Sequence, residues 1–295
     1  MTSGCRLWTE GVPAWGGRRT AAVSDLPEAG AAEALRAACG RARAAGFGAV
    51  VGPMRGDTWH AHRVVVETDG SPPFFGEPDA PRAWAAAFLD AGFDRIATYA
   101  SAATGDLAVE DPRLARVEAR LAAGGLRFRP LDLGDPAADL RAMHGLCLRA
   151  FAHNFLYRPL PEEDFLRMYA PLAGGGGGGG GRGGVLRPEL VELVEAGGEL
   201  VGLCFALPDP LEAARGGTPR TVVLKTLARE PGRRAAGLGS LLVQRTRKRA
   251  AQLGFSRVVH ALMHERNDSL NLATGAAGGH AGVFRRYALY GRTLP

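Results

Sequence analysis

Arg234-x-x-Gly237-x-Gly239 follows a β-branched apolar run, Thr221 to Arg229, with Pro231 between them, and it precedes a helix-forming stretch. Glycines let the main chain approach a ligand, and the unpaired N–H groups and positive dipole end of a helix start favour an anion. The spacing therefore suits a pyrophosphate cradle. Lys225 and His260 interrupt otherwise apolar runs. A buried cation or imidazole must be paired or open to a cleft, because desolvating it alone is costly. His260 has the better intrinsic pKa for taking a proton near neutrality; otherwise it is a satisfied histidine at a strand end. Lys225 is expected to pair with a carboxylate, Asp209 or Glu230. His60-x-His62 and His260 with His264 offer no His-Glu-x-x-His pattern and no third ligand, so no metal is expected.

These residues need elements to hold them. Ser240 to Leu253 mixes Leu241, Leu242, Ala250 and Ala251 with Gln244, Arg245, Arg247, Lys248 and Arg249, as a helix with one buried side does, and Gly254 ends it. Arg257 to Met263 reads as a buried strand, and Asn267-Asp-Ser269 as a helix start. A dinucleotide fold would want Gly-x-Gly-x-x-Gly directly after a strand and an acidic residue about 20 positions on, a spacing absent here. Strand, cradle, helix, strand and Asn-led helix together resemble the second half of the GNAT superfamily of acyl-CoA-dependent N-acetyltransferases. The match rests on motif A, Gln/Arg-x-x-Gly-x-Gly/Ala.

The resemblance implies an α/β fold of two GNAT-like units, each a mostly antiparallel twisted sheet flanked by helices. It also implies acetyl transfer from acetyl-CoA to a primary amine of a small molecule or amino acid by direct attack. The implied cofactor-binding residues are Leu227, Ala228 and Arg229, on a bulged and splayed strand, then Arg234, Ala235, Ala236, Gly237, Leu238, Gly239 and Ser240. Arg229 stands where the family usually has an aliphatic residue. Asn267 either matches the pantetheine-contacting asparagine or simply caps its helix. Acetyl transfer also needs a proton acceptor and an acid for the thiolate. His260 is the candidate base. The family's Tyr-x-x-x-Gly-Phe falls here on Phe284-Arg285-Arg286-Tyr287-Ala288-Leu289, so Tyr287, or Tyr290, would have to replace the missing tyrosine or else serve packing. Acceptor choice in the family comes from the first helices, which places Phe151, Asn154, Phe155 and Tyr157 as substrate-binding candidates. The departure at the tyrosine favours an alternative, a non-catalytic acyl-CoA-binding or scaffolding protein.

A chain of 295 residues, 46% apolar, is sized for about two domains with a real core. No run approaches the ~18 apolar residues of a membrane span and no signal-peptide core follows the first residues, so a soluble cytoplasmic protein is expected, either a monomer or a homodimer. Cys5, Cys39, Cys147 and Cys204 lie far apart, as reduced, mostly buried thiols would. A net charge of +6 comes almost wholly from arginine in an Ala/Gly/Arg-rich chain, and no nucleic-acid module signature is present. The basic run Arg245 to Arg249 reads as a solvated helix face, part of which could meet the 3′-phosphate of CoA.

Ala31 to Met54 echoes Gly239 to Met263, with Gly46-Phe47 matching Gly254-Phe255 and Val50-Val51 matching Val258-Val259, which implies two copies of one folding unit. In the first copy Leu26, Ala29 and Ala31 fall where Arg234, Gly237 and Gly239 stand, a cradle stripped of its arginine and glycines. Gly52-Pro53-Met54 with Trp59, Arg63 and Pro72 to Pro78 resembles the N-terminal region of tandem GNAT-like proteins. The expected organisation is a degenerate GNAT-like domain at 1–108, a linker helix at 109–125 and an acetyl-CoA-binding catalytic domain at 126–295, with a flexible glycine loop at 174–184. In the first domain, strands are expected at His62–Glu67 and Ile96–Tyr99.

Overall fold

Alternation of apolar residues builds the sheet. In β8 (Glu199–Pro208), Leu203, Phe205 and Leu207 serve one face while Cys204 and Ala206 serve the other. The turn to β8 from β7 (Val191–Ala196) is Gly197-Gly198, both at positive φ, 60° and 86°, which a two-residue hairpin requires. The computed structural model describes residues 5–173, 186–232, 235–274 and 281–295. The expected glycine loop at 174–184 and Arg234 lie outside the described residues.

The remaining strands are β1 (Arg6–Trp8), β2 (Thr20–Ser24), β3 (Ala49–Gly52), β4 (Val64–Thr68), β5 (Asp94–Thr104), β6 (Leu126–Pro130), β9 (Thr221–Arg229), β10 (Arg257–His264) and β11 (Gly282–Thr293). They form one mixed 11-stranded sheet in the order β1-β2-β3-β11-β5-β10-β9-β8-β7-β6, and β4 pairs with β11 beside this path. Two parallel pairs, β2 with β3 and β9 with β10, are each joined by a helix, α1 (Ala31–Ala44) and α7 (Leu238–Gln252). Between them lie β5 and β11, antiparallel, with Tyr99 opposite Tyr287. β5 comes from the β3 side of the chain yet pairs with β10, and β11 comes from the β10 side yet pairs with β3. The sheet is therefore continuous across the boundary expected at residue 108. β5 also runs well beyond the expected Ile96–Tyr99; its second half, Ala100-Ser-Ala-Ala103, carries small residues of little strand propensity that are fixed by neighbours on both sides.

Helices cover both faces. Leu35 and Ala38 of α1 and Phe88 of α2 (Ala83–Asp90) pack on Val23, Val50 and Tyr290. Met143 and Leu146 of α4 (Pro136–Ala150) and Phe165 of α5 (Glu162–Tyr169) pack on Leu193, Leu203 and Phe205. On the opposite face, Leu121 of α3 (Arg113–Ala123) and Leu241 and Leu242 of α7 meet Val194, Cys204 and Val222. Asp135 caps α4 by accepting from the Ala138 N–H, and Pro136 occupies its first turn. The two remaining short helices are α6 (Pro210–Ala214) and α8 (Asp268–Thr274).

Two expectations are corrected. The helix of the first half keeps a left-handed glycine: Gly30, φ 73°, caps α1 as Gly237, φ 81°, caps α7. Because α7 has one residue more than α1, ungapped alignment from the helix ends misplaces the cap by one position. The basic run is a solvated face only in part, at the exposed Lys248 and Arg249. Arg245 is clamped by Glu192 and Glu118, Lys248 pairs with Glu110, and Arg247 is buried. Acids on and before α3 therefore fasten that segment along α7.

All four cysteines are free and buried. Among the described residues no helix is long and apolar enough to cross a membrane.

Candidate functional site

The parallel ladder of β9 and β10 runs from Thr221 opposite Arg257 to Leu224 opposite His260 and stops there. Both strands are bulged at that point. Lys225 has no residue opposite it on β8, since Phe205 faces Thr226 and Ala206 faces Leu224. On β10, Ala261 and Leu262 together oppose Ser101 of β5, and Leu262 takes φ 57°, a conformation costly for a branched side chain. Beyond Leu224, β9 keeps ladder partners on β8 alone, so its other edge, through Leu227, Ala228 and Arg229, opens toward a gap.

Leu262 is held by the N-terminal half of the chain. Its N–H donates to Ser101 Oγ at 3.0 Å, and its carbonyl accepts from Arg63 Nη1 at 2.9 Å. Ser101 Oγ lies 3.0 Å from the Tyr287 hydroxyl, which donates to Glu77, and Glu77 is also ion-paired with the buried Arg285. Burial raises the Glu77 carboxyl despite these partners, and burial, with the neighbouring Glu77 carboxylate, raises the Tyr287 hydroxyl. The loop before β4 is braced by Asp57, which accepts from the backbone N–H of Trp59 and from His60 Nδ1. Trp59 then reaches into the C-terminal half, 6.0 Å from Phe165 and 6.4 Å from both Phe151 and Tyr157, and donates Nε1–H to the Arg158 carbonyl.

Between these groups lies a cleft of about 710 Å³. Of the residues singled out from the sequence, Phe151, Asn154, Phe155, Tyr157, Leu227, His260 and Asn267 line it. Ala228 is instead buried in the core beside α4, and Arg229 is exposed. His260 is 4% exposed, and burial, then the charge of Arg247, pushes its pKa down to about 4, so it is a neutral imidazole at pH 7. Tyr287 is fully buried and does not line the cleft; it lies behind the wall, packed with Tyr99 and Leu262, and its hydroxyl donates to Glu77, which does line it. Tyr290 is buried against Phe88, with ring centroids 5.2 Å apart, in the core under α1 and α2, and does not line the cleft. Lys225 lines the cleft, but its expected carboxylate partner is not there. Its Nζ donates to the Tyr169 hydroxyl at 3.2 Å, while Asp209 accepts from the Phe75 and Leu211 N–H groups and Glu230 pairs with Arg149. That partner was inferred from the cost of burying a cation, whereas Lys225, at the bulge, is only half-buried and lines the cleft.

The glycine-capped start of α7 approaches the cleft at Leu227, and none of Ala235 to Ser240 lines it. A Cβ on Gly239 would lie 3.2 Å from Leu272 of α8 and 4.0 Å from Leu227, so the first turn of α7, the end of β9 and α8 converge there. Ala235, Leu238 and Gly239 are buried, whereas Ser240 is half-buried. At Gly237 a Cβ would stand 2.8 Å from Val117, and Arg120 donates to the Ala236 carbonyl. Glycine there thus meets two demands, the left-handed φ and the close approach of α3.

Sequence reasoning missed Arg63, Ser101, Glu77, Tyr99 and Trp59 as parts of this site. Trp59, Arg63 and the Pro72 to Pro78 stretch that holds Glu77 carried a signal, the resemblance to tandem GNAT-like proteins, but it assigned them no place in the site. Apart from Trp59, these residues reach the cleft through pairings across roughly 160 residues or more, as Ser101 reaches Leu262 and Glu77 reaches Tyr287.

No family model matches the sequence, and no curated protein matches it. Among solved structures, the chain is similar to a GCN5-related N-acetyltransferase from Sphaerobacter thermophilus, with TM-score 0.50 and 17% identity over 83% of this chain and 59% of that one. It is also similar to a tandem GNAT protein from the clavulanic acid biosynthesis pathway, with TM-score 0.51 and 15% identity over 95% of this chain and 77% of that one. A third is the glucosamine N-acetyltransferase region of a fungal multi-domain GH3 β-N-acetylglucosaminidase, with TM-score 0.55 and 12% identity over 95% of this chain and 30% of that one. The chain thus spans less than two thirds of the first and third of these proteins. At such identities the likeness is one of fold, and the fold is that of the GCN5-related N-acetyltransferases.

Proposed function

We propose that the protein transfers an acetyl group from acetyl-CoA to a primary amine of a small molecule or amino acid. The observation that carries this reading is the opening of the β9–β10 ladder after Leu224 and His260, with Leu227 on the open edge meeting Gly239 in the first turn of α7. In this reading the free edge of β9 from Leu227 to Arg229 takes up the pantetheine, with Asn267 facing it across the gap. The backbone N–H groups from Ala235 to Ser240, with Arg234, take up the diphosphate. The thioester carbonyl is polarised by a backbone N–H of the open strand, and the amine attacks directly from the wall formed by Phe151, Asn154, Phe155 and Tyr157.

His260, neutral at working pH, receives the amine proton once attack has made the nitrogen acidic. Tyr287 supplies the thiolate proton through Glu77, which accepts from its hydroxyl and lines the cleft. The first half of the chain is a second, degenerate copy of the same unit, with boundaries at 1–108, 109–125 and 126–295. It serves to hold the β10 bulge, and the chain acts in the cytoplasm as a monomer or homodimer without nucleic acid, membrane or metal.

The confinement of Tyr287 favours one other reading, an acyl-CoA-binding protein without turnover. Titration calorimetry with acetyl-CoA and thiol release across a panel of primary amines separate the two. The enzyme gives heat and thiol, the binder gives heat alone, and no heat with acetyl-CoA overturns both.

A further inference from the structure

Arg63 is a buried cation with no acid to neutralise it. The residue is 6% exposed, its guanidinium stacks on the Tyr99 ring at 3.8 Å, Nη1 donates to the Leu262 carbonyl, and Nη2 lies against His62 Nε2. His62 Nδ1 donates to the His60 carbonyl, so its Nε2 is the accepting nitrogen of a neutral ring. Among the described residues, Nε of Arg63 has no hydrogen-bond partner. Every group that Arg63 meets is neutral, and among the described residues none of the ion pairs includes it. Burying an unpaired charge costs several kcal/mol, whereas a bound carboxylate would recover that cost through charge-assisted hydrogen bonds.

Lys225 repeats the situation on the opposite strand. It lines the same cleft and has the Tyr169 hydroxyl and ring as its partners instead of a carboxylate. Arg63 is fastened to the bulge of β10 and Lys225 occupies the bulge of β9, so each of the two parting strands brings one cation to the cleft. The other cations of the cleft wall are accounted for differently: Arg55 pairs with Asp25 and His60 with Asp57. Arg247, also buried without a partner for Nε, does not line the cleft.

We infer that the cleft is built to take a carboxylate between Arg63 and Lys225, carried either by the acceptor, as in an amino acid, or by the acyl group of a dicarboxylic acyl-CoA. The inference rests on the acyl-CoA reading above for its two sources of carboxylate, and its test reads the two separately. Affinities of acetyl-CoA and succinyl-CoA are measured by calorimetry on the full chain. A panel of N-acetylated amino acids is then compared with the corresponding N-alkylacetamides, which keep the side chain and lack the carboxylate, with and without CoA. Wild type should bind one carboxylate series about tenfold or more tightly than its carboxylate-free counterpart. Arg63→Gln should abolish that preference while keeping acetyl-CoA binding.

If Arg63→Gln also loses acetyl-CoA, the bulge has collapsed and Lys225→Gln supplies the comparison. Preference for succinyl-CoA places the carboxylate on the acyl group; preference among the N-acetylated amino acids places it on the acceptor. Equal affinities within each pair, or a preference that survives the substitution, overturn the inference even where acetyl-CoA binds. Absence of acetyl-CoA binding with a surviving carboxylate preference would instead overturn the function proposed above and leave this site standing.

Discussion

At the scale of single residues, chemistry at this site is set by which charges the fold leaves in water and which it does not. His260 shows the consequence most directly. Its folded-state pKa of about 4 lies below the ordinary 6.5, so between those values the unfolded chain binds a proton that the folded chain refuses. Stability should therefore fall as pH drops through that window and be untouched by this group above it. His260→Gln should flatten the decline, recovering at most ~3 kcal/mol at its acid end, as urea unfolding at stepped pH would read. Tyr287 makes the complementary case. Tyr287→Phe removes a hydroxyl shared by Glu77 and Ser101 and should cost ~1–2 kcal/mol in urea unfolding. If the hydroxyl also feeds the thiolate proton, kcat should drop with KM nearly constant; a loss confined to stability would reduce it to a positioning residue.

Elements decide where those residues meet. The start of α7 is the element most open to a clean perturbation, because Gly237 cannot be changed without driving a side chain into Val117. Ser240, half-buried in the first turn, can be. Ser240→Asp places a carboxylate where the helix dipole welcomes it, so thermal stability should hold or rise slightly, while repulsion of a diphosphate should weaken acetyl-CoA binding about tenfold or more. Unchanged affinity would remove this helix start from the binding site. Trp59 tests the wall between the halves. Trp59→Ala opens the cluster with Phe151, Tyr157 and Phe165 and frees the Arg158 carbonyl, at a cost of roughly 3 kcal/mol in denaturant unfolding.

Over the whole molecule, the crossed placement of β5 and β11 ties the halves into one cooperative sheet. Residues 1–108 expressed alone would lack the strand that pairs with both β3 and β4, and residues 109–295 would lack the strand between β10 and β11. Neither fragment should fold by circular dichroism, whereas mixing them should restore a folded complex. Independent cooperative unfolding of both fragments would contradict this dependence.

The sequence by itself determined what local chemistry dictates. Thr221–Arg229 is a strand to the residue, the Gly-Gly turn forms a hairpin, Asp135-Pro136 opens a helix, and a glycine marks the start of α7. Each follows from propensity, periodicity or backbone permissiveness within a few residues. Only the tertiary structure decided that Ala100 to Thr104 is a central strand, that Lys225 faces Tyr169 instead of an acid, and that Arg63 reaches the β10 bulge. Those outcomes depend on pairing across long stretches of chain and on bulges that shift a side chain by one face. Neither leaves a period or a spacing in the sequence, because the partners that fix them are distant along the chain.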